Sequence, residues 1–348
     1  MDSVSFGSDN HSGIHPQVLA AIQKANEGFC PAYGDDPLTV SVLTEIKELF
    51  GGNCDAWFVI TGTGANILCL QSLMHSYNAI FCPQSAHINT DECGAVQKFT
   101  QGRLLPIETA DGKLTPELIA PHLLGNRDQH HSQAKIISLS QSTEYGTLYT
   151  LQELQRLADF AHQNNMFLHI DGARLANAAA ALNCSLKEMT KDISADIVSF
   201  GGTKNGLLCG EAIISFRPEL TSAMRFYRKQ ASQLLSKMRF ISAQYQAYLE
   251  DDLYLKNART ANAMAKLLAE RLREIPELIV TQEVAVNSVF VILPRQIIEP
   301  LQQKYHFYTW NEALNEVRLM CSFNTTETHI ESFIQDLKAL LVVKSSHC

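Results

Sequence analysis

Residues 166–206 read MFLHIDGARLANAAAALNCSLKEMTKDISADIVSFGGTKNG. Two short apolar runs, Met166–Ile170 and Ile197–Phe200, flank an alanine-rich helical pattern at Leu175–Leu182. A strand, a helix and a second strand within this length are typical of a βαβ unit, which places both strands parallel in one sheet. Their carboxyl ends then meet at one edge of the sheet, where folds of this kind bind ligands.

The same alternation continues on both sides of this unit. The strand candidates are Trp57–Ile60, Ala79–Cys82, Ile136–Leu139 and Ala212–Phe216, and the helix candidates are Ala65–Met74 and Leu151–Asn164. An earlier helix is predicted to begin at Asp36-Pro37, with Asp36 as N-cap and Pro37 as its first residue. The pattern predicts an α/β fold with a mostly parallel sheet and helices on both faces.

After about residue 250 the pattern changes to helices around a small separate sheet. The helix candidates are Leu253–Arg273 and Glu327–Val342, and the strand candidates are Ile279–Thr281, Ser288–Ile292 and Val317–Cys321. We therefore expect an N-terminal arm over residues 1–15, a large domain over 16–250 and a small C-terminal α+β domain over 251–348.

Composition excludes several classes of partner. The formal net charge is −8, which argues against nucleic acid or an anionic membrane surface. The nine cysteines are scattered without a C-x-x-C pair, which indicates neither a disulfide framework nor a metal site. No signal peptide or membrane-spanning run is evident, so we expect a cytoplasmic protein in a reducing compartment.

An acid and a lysine follow the two strands of the opening unit. Asp171 stands at a buried strand end, where a carboxylate is costly unless it is paired; the alternative is a helix N-cap. Lys204 follows the next strand among small residues, where burial makes an amine nucleophilic toward an aldehyde; the alternative is a solvated turn lysine. An acid and a lysine on neighbouring strand ends are the arrangement that pyridoxal phosphate (PLP) needs, because the acid pairs with its pyridine nitrogen.

Two other strand ends carry candidate cofactor ligands. The run Thr61-Gly62-Thr63-Gly64-Ala65-Asn66 begins a helix, and its small residues and free N–H groups suit a phosphate. His87 follows Ala79–Cys82, and an imidazole can stack on a pyridine ring and transfer protons. The alternatives are an ordinary strand-to-helix turn and a hydrogen-bonded structural histidine.

These motifs together resemble the low-specificity L-threonine aldolases, within the threonine aldolase and aromatic amino acid β-eliminating lyase family. The matching stretches are Phe6–Asn10, Ala32–Asp36, Thr61–Asn66, Ala86–Glu92, His169–Arg174, Gly201–Gly206 and Val317–Met320. Residues 85–94 and 201–206 are most similar to the branch with threonine and phenylserine aldolases of pseudomonad-type bacteria. The resemblance implies a fold-type I PLP enzyme with an aminotransferase-like, seven-stranded sheet.

The resemblance also implies how the cofactor is held. Lys204 binds PLP covalently as a Schiff base, Asp171 pairs with the pyridine nitrogen and His87 stacks on the ring. Gly62 and Thr63 bind the phosphate.

Substrate and partner contacts follow from the same resemblance. Ser8, Arg174 and Arg318 form a clamp for the substrate carboxylate, and Arg174 also borders the cofactor. Arg239 reaches the phosphate from the neighbouring subunit, whereas the alternative for its basic segment is a solvated helix face. Tyr33 borders the partner's site. The resemblance thus implies a homo-oligomer, a dimer of dimers with shared active sites.

One position departs from the family pattern. The family usually has a histidine after the strand that is spelled IISLS here, and in the run Gln141–Gly146 that place is occupied by Glu144. Glu144 is a candidate general base for the substrate hydroxyl, directly or through a water. The alternative is that it only braces a loop or hydrogen-bonds to His87.

The predicted reaction is PLP-dependent retro-aldol cleavage of L-threonine, L-allo-threonine and related β-hydroxy-α-amino acids to glycine and an aldehyde. The alternatives on the same scaffold are a phenylserine aldolase, a β-eliminating amino acid lyase and an aminotransferase. A PLP-fold protein without activity, acting as a regulator, is a further alternative of a different class. The filled lysine, aspartate and arginine positions argue against it.

Overall fold

The computed structural model describes residues 4–123 and 125–345, with side chains as far as residue 342. Residues 1–3 of the expected arm and 346–348 of the expected small domain lie outside the described residues. A seven-stranded sheet lies at the centre of the large lobe, in the order β1-β7-β6-β5-β4-β2-β3. Its strands are β1 (Asp55–Val59), β2 (Asn78–Pro83), β3 (Arg103–Ile107), β4 (Gln133–Ser140), β5 (Phe167–Asp171), β6 (Ile197–Gly201) and β7 (Glu211–Ser215).

The predicted fold class is confirmed. Strands β2 to β6 pair in parallel, and β7 alone runs antiparallel to both of its neighbours. The α-helices of this lobe are α1 (Pro16–Ala25), α2 (Pro37–Leu49), α3 (Gly62–Leu73), α4 (His87–Thr90), α5 (Ala95–Thr100), α6 (Pro116–Ile119), α7 (Leu151–Gln163), α8 (Leu175–Leu182), α9 (Leu186–Met189), α10 (Met224–Gln230) and α11 (Arg239–Leu249). Asp36 caps α2 as expected, because its carboxylate accepts a hydrogen bond from the N–H of Thr39 at 2.8 Å.

A four-stranded antiparallel sheet lies in the C-terminal part, in the order β10-β11-β9-β8. Its elements are α12 (Leu253–Arg273), β8 (Ile279–Val280), β9 (Ser288–Ile292), α13 (Arg295–Gln302), β10 (Tyr308–Asn311), β11 (Glu316–Met320) and α14 (Glu327–Ser345). This confirms the smaller lobe with helices on its own sheet. Within the part of the chain that the structure describes, no helix is both long and apolar enough to cross a membrane.

Two strands were not predicted from the sequence. β3 reads RLLPI, in which a proline interrupts the aliphatic residues, and β10 reads YTWN, which mixes aromatic and polar residues. Each lies at an edge of its sheet, where one side of the strand has no strand partner. Edge strands tolerate polar residues and proline, and Pro106 in β3 is an example.

The N-terminal arm is packed into the C-terminal lobe. Phe6 is fully buried in a hydrophobic cluster with the inner faces of α12, α13 and α14. Its ring lies 5.2 Å from that of Phe333, its N–H donates to the carbonyl of His306, and its carbonyl accepts from the N–H of Met320. The arm therefore joins the first described residues to the last helix, and α12 contributes to the cores of both lobes.

Candidate active site

Two adjoining cavities lie at the carboxyl edge of the large sheet, as the opening unit predicted. The first, of about 50 Å3, is lined by residues that include Asn66, His87, Glu144, Asp171, Arg174 and Lys204. The second, of about 280 Å3, is lined by residues that include Thr61, Thr63, Thr203 and Glu211. Gly62, His87, Ala173 and Lys204 line both, so the cavities form one continuous site.

Close backbone packing brings the ends of β5 and β6 together. The N–H of Gly201 donates to the carbonyl of Gly172 at 3.0 Å, and the N–H of Gly172 donates to the Ser199 hydroxyl at 2.9 Å. A Cβ atom at Gly201 would lie 2.6 Å from the carbonyl oxygen of Ala173, closer than real Cβ contacts. A side chain at position 201 would therefore push the two strand ends apart. Glycine allows the close approach that brings Asp171 and Lys204 into one cavity.

Lys204 lies in a short 3-10 turn, Thr203–Asn205, directly after β6. Burial lowers the pKa of its amine, and the nearby charge of Arg174 lowers it further. Its side chain lines both cavities and is largely shielded, so the alternative of a solvated turn lysine is wrong. An amine in this state is a nucleophile suited to an aldehyde.

Asp171 is the last residue of β5. Burial opposes its ionisation, but hydrogen bonds from the Asn66 amide at 2.8 Å and the Ala173 N–H at 3.0 Å hold its pKa below the ordinary value. The N-cap of α8 is Arg174, so Asp171 does not cap that helix and the alternative is wrong. A buried carboxylate that stays ionised suits a protonated ring nitrogen.

The run after β1 begins α3 as predicted. Thr61 is the N-cap, and its hydroxyl oxygen accepts from the N–H of Gly64 at 3.1 Å. A Cβ atom at Gly62 would meet nothing within 4 Å, so open space lies over the first turn of the helix. Together with Thr63, this end of a twelve-residue helix presents N–H groups and hydroxyls to the second cavity, which suits a phosphate.

A chain of hydrogen bonds joins His87 to Asp171. The imidazole Nδ1 of His87 lies 2.9 Å from Oε1 of Glu92, which also accepts from Nδ2 of Asn66 at 2.8 Å. The same nitrogen of Asn66 donates to Asp171. The contact with Glu92 raises the pKa of His87 although burial opposes this, so Glu92 both orients the ring and favours its protonated form.

Glu144 lies in the first cavity. Its Oε1 accepts from the Ser140 hydroxyl at 2.6 Å and from the backbone N–H of His87 at 3.0 Å. Burial raises the pKa of Glu144, and these hydrogen bonds oppose the rise. Its Oε2 is buried and has no hydrogen-bond partner among the residues that the structure describes. One oxygen thus holds the start of α4, while the other is free to accept a proton.

The three residues of the expected carboxylate clamp differ in the partners that their side chains have in the structure. Arg174 forms a two-pronged ion pair with Asp9, with nitrogen–oxygen distances of 2.7 and 2.9 Å. Arg318 lies with its guanidinium 4.9 Å from the centre of the Trp310 ring, and within the described chain its buried Nε has no partner. Burial lowers the pKa of Arg318, and Arg174 adds to this, so an anion between them would be favoured. Ser8 caps the turn Asp9–His11.

Tyr33 and Arg239 are not brought into these cavities, although the structure describes both. Tyr33 is exposed, and the amine of Lys229 lies 4.9 Å from the centre of its ring. Arg239 is the first residue of α11, and its Nη1 donates to the carbonyls of Glu27 and Gly28 at 3.4 and 3.3 Å. Any role of these side chains in a site requires a second subunit.

Four buried polar residues in or beside these cavities were not predicted from the sequence. Asp9, Asn66 and Glu92 lay inside the quoted motifs, and a buried polar residue in such a motif is the signal that marks them. Glu211 begins β7 and had no motif at all. Asp9 and Asn66 have partners distant in sequence, Arg174 and Asp171 respectively, and spacing alone does not reveal such pairs.

The site fits pyridoxal phosphate. An ionised aspartate, a lysine of lowered pKa and a helix N-terminus under open space lie in one continuous cavity, as the ring nitrogen, aldehyde and phosphate of that cofactor require. The fold and the site therefore define a fold-type I enzyme that depends on pyridoxal phosphate.

Comparisons with known proteins give the family. The model of the β-eliminating lyase family matches residues 5–296, and the chain belongs to this family. A low-specificity L-threonine aldolase from a Pseudomonas species is 39% identical over 97% of this chain and 98% of its own length. The enzyme of that name from Pseudomonas aeruginosa is 39% identical over 97% of each chain. A solved threonine aldolase from Leishmania major superposes with a TM-score of 0.91 at 29% identity, covering 97% and 99% of the two chains.

Proposed function

We propose that this enzyme cleaves L-threonine, L-allo-threonine and related β-hydroxy-α-amino acids to glycine and an aldehyde. The names of the two Pseudomonas relatives, each matched over nearly their whole length, support this reaction. The observation that carries the proposal is the position of Glu144, which lines the cavity of Lys204 and Asp171 and has one carboxylate oxygen without a hydrogen-bond partner among the described residues. That cavity thus pairs a cofactor site with an acceptor for the hydroxyl proton.

The proposed cofactor contacts follow from the two cavities. Bound pyridoxal phosphate supplies an aldehyde that links to an amine and a ring that accepts electrons from the α-carbon. Lys204 provides the amine that holds it, Asp171 keeps the ring nitrogen protonated and His87 stacks on the ring. Gly62 and Thr63 provide the N–H and hydroxyl donors for the phosphate.

Orientation of the substrate selects the bond that breaks. We assign its carboxylate to Arg318 and Arg174, with Ser8 nearby on the arm. Asp9 already neutralises part of Arg174, so the unpartnered Nε of Arg318 is the stronger anion contact. A carboxylate fixed there would set the rotation of the α-carbon, so that the Cα–Cβ bond is the one aligned for cleavage. Only the aligned bond gains stabilisation in the transition state.

Glu144 then takes the proton of the β-hydroxyl, directly or through one water. Its Oε1 is fixed by Ser140 and by the backbone of His87, so the carboxylate is held in place without using Oε2. Loss of that proton turns the hydroxyl carbon into an aldehyde as the Cα–Cβ bond breaks. The α-carbon keeps the electron pair of that bond and then takes up one proton to give glycine.

Product analysis tests the proposed reaction. The enzyme is incubated separately with L-threonine, L-allo-threonine and phenylserine, and glycine, aldehyde, 2-oxo acid and ammonia are measured. Glycine and aldehyde in equal amounts are the expected products. Release of a 2-oxo acid with ammonia would instead show elimination and overturn the aldolase assignment.

We further propose a dimer of dimers whose subunits share active sites. The exposed Tyr33 and the surface position of Arg239, each outside the cavities of its own chain, support such sharing. We place the enzyme in the cytoplasm, because the eight cysteines that the structure describes are all free thiols.

A further inference from the structure

A buried carboxylate beside Lys204 has no part in the chemistry above. Glu211 is the first residue of β7 and is 5% exposed. It pairs with Gly201 on one side and with Val59, at the end of β1, on the other. Two residues after Val59 the chain reaches Thr61, the N-cap of α3, so Glu211 lies beside the phosphate end of the site.

Contacts of Glu211 face the same cavity. Its Oε1 accepts from the hydroxyl of Thr203 at 2.9 Å, and its side chain lines the cavity with Thr61, Thr63 and Lys204. An ionised carboxylate among phosphate-binding groups would repel the phosphate dianion. A neutral Glu211 would remove this repulsion.

The surroundings of Glu211 allow it to gain a proton near neutral pH. Burial raises the pKa of Glu211 to about 7; the hydrogen bond from Thr203 and the charge of Lys204 oppose the rise, and Asp171 adds to it. The other titratable side chains that face it or its cavity are Cys209, Tyr245, Tyr248 and His87. Among these groups, Lys204 is the cation whose charge lowers the pKa of Glu211.

We propose that Glu211 is a proton-linked phosphate-binding residue of this enzyme. In the cofactor-free protein its carboxylate balances Lys204. When the cofactor binds, Glu211 takes up one proton from solvent, and the resulting carboxylic acid donates a hydrogen bond to a phosphate oxygen. This inference rests on the cofactor site described above and is independent of which amino acid is cleaved.

The proposal sets the direction of a pH effect. A ligand that raises the pKa of a protein group binds most tightly to the protein in which that group is protonated. Affinity for the cofactor is then constant below the pKa of the free protein and falls by up to about tenfold per pH unit above it. Pyridoxal, which lacks the phosphate, also attaches to Lys204 but does not require this proton.

Dissociation constants for PLP and for pyridoxal, measured by absorbance with the full-length apoenzyme between pH 7 and pH 9, test the proposal. We expect the PLP constant of the parent to increase more steeply with pH than the pyridoxal constant. In Glu211→Gln, whose amide donates at every pH, the two slopes should become equal while PLP still binds. Glu316→Gln is the matched control, since Glu316 is also buried and accepts from a threonine hydroxyl, that of Thr281.

Equal slopes in the parent, or an unchanged difference in Glu211→Gln, would overturn the proposal. The proposal would also be overturned if the pH dependence of the pyridoxal constant changed in Glu211→Gln. Glu211 would then act on Lys204 and not on the phosphate. Calorimetry of the parent in buffers of different ionisation enthalpy gives a check without any variant. At pH 8 the enzyme should take up about one more proton when it binds PLP than when it binds pyridoxal. Failure of the cofactor site itself would differ, since neither ligand would bind.

Discussion

At the scale of single residues, Asn66 arranges the charges of the site. Its Nδ2 donates to both Glu92 and Asp171 at 2.8 Å, and it is 2% exposed. Two buried carboxylates so close to one nitrogen would repel each other without that donor. Asn66 therefore keeps Asp171 ionised for the ring nitrogen while Glu92 stays available to His87.

Lys204→Ala should abolish covalent attachment of the cofactor and turnover while leaving the fold intact. Removing a partly desolvated amine leaves no hydrogen-bond partner unsatisfied, since none of the described residues accepts a hydrogen bond from it. The measurement is the mass of the protein after borohydride reduction with PLP, alongside circular dichroism. Lys135→Ala, on a different strand, is the control and should keep the reducible linkage. A linkage that persists in Lys204→Ala would refute the assignment.

Glu144→Gln should keep cofactor and substrate binding but lower kcat by roughly 10²–10⁴-fold, the effect of a lost general base. Glu144 acts only when ionised, and burial raises its pKa. The rate of the parent should therefore fall as pH decreases through that raised pKa, and this acidic limb should flatten in the variant. The measurement is kcat against pH for threonine cleavage.

Ser140→Ala provides the companion test for Glu144. It removes the 2.6 Å hydrogen bond that stabilises the carboxylate, so the pKa of Glu144 should rise further and the acidic limb should move to higher pH. If Glu144 only braces the loop, Ser140→Ala leaves the limb in place and Glu144→Gln retains near-normal kcat.

Some of these residues could be predicted from the sequence and others could not. That Asp171 and Lys204 lie in one cavity could be predicted, because each is at or just beyond the end of a recognisable strand and strand ends in an α/β sheet meet at one edge. Asp9 was not assigned, since its meaning comes from Arg174, 165 residues away. Glu211 begins an antiparallel strand, so the rule about carboxyl ends does not apply to it.

At the scale of secondary-structure elements, the approach of β5 to β6 controls the site. Gly201→Ala should weaken cofactor binding and lower stability by about 1–3 kcal/mol, as overpacking of a tight contact does. The added Cβ would lie 2.6 Å from the Ala173 carbonyl, and backbone atoms cannot move aside without separating Asp171 from Lys204. The measurements are chemical denaturation and the dissociation constant for PLP.

Gly13→Ala is the control for this substitution. A Cβ atom there meets nothing within 4 Å, and the backbone of Gly13 does not require the left-handed conformation. Its stability and cofactor affinity should match those of the parent. Equal behaviour of the two variants would mean that the strand contact does not position the site.

Elements with a long, regular pattern were predicted closely. Leu175–Leu182 and Leu253–Arg273 are the observed bounds of α8 and α12, because apolar residues recur at helical spacing along such helices. β3 and β10 were missed, since these edge strands bury only part of their side chains and are interrupted by a proline in β3 and by polar residues in β10. The sheet order also depends on contacts between distant segments, such as β1 with β7.

At the scale of the whole molecule, sharing of sites is the main prediction. Arg239→Ala should weaken cofactor binding, and mixing it with Lys204→Ala should restore activity. In a hybrid dimer one site combines Lys204 from one chain with Arg239 from the other, so random pairing should return about a quarter of the parental activity. The measurement is turnover after subunit exchange, verified by mass spectrometry of tagged chains.

A same-chain pair provides the control for mixing. Lys204→Ala and Asp171→Asn change two side chains that line one cavity of one subunit, so no hybrid contains a complete site and activity should stay absent. Rescue of this pair as well would indicate exchange artefacts. No rescue of the Arg239→Ala pair, despite confirmed exchange, would disprove sharing at that position.

The packing of Phe6 against Phe333 has a consequence for synthesis on the ribosome. Phe333 is translated 327 residues after Phe6. The nascent arm, which also contains Asp9, therefore lacks its native contacts until the later segments have been translated. At about 5–20 residues per second, this interval is tens of seconds. During it the exposed ring of Phe6 is a natural binding site for chaperones that protect emerging chains.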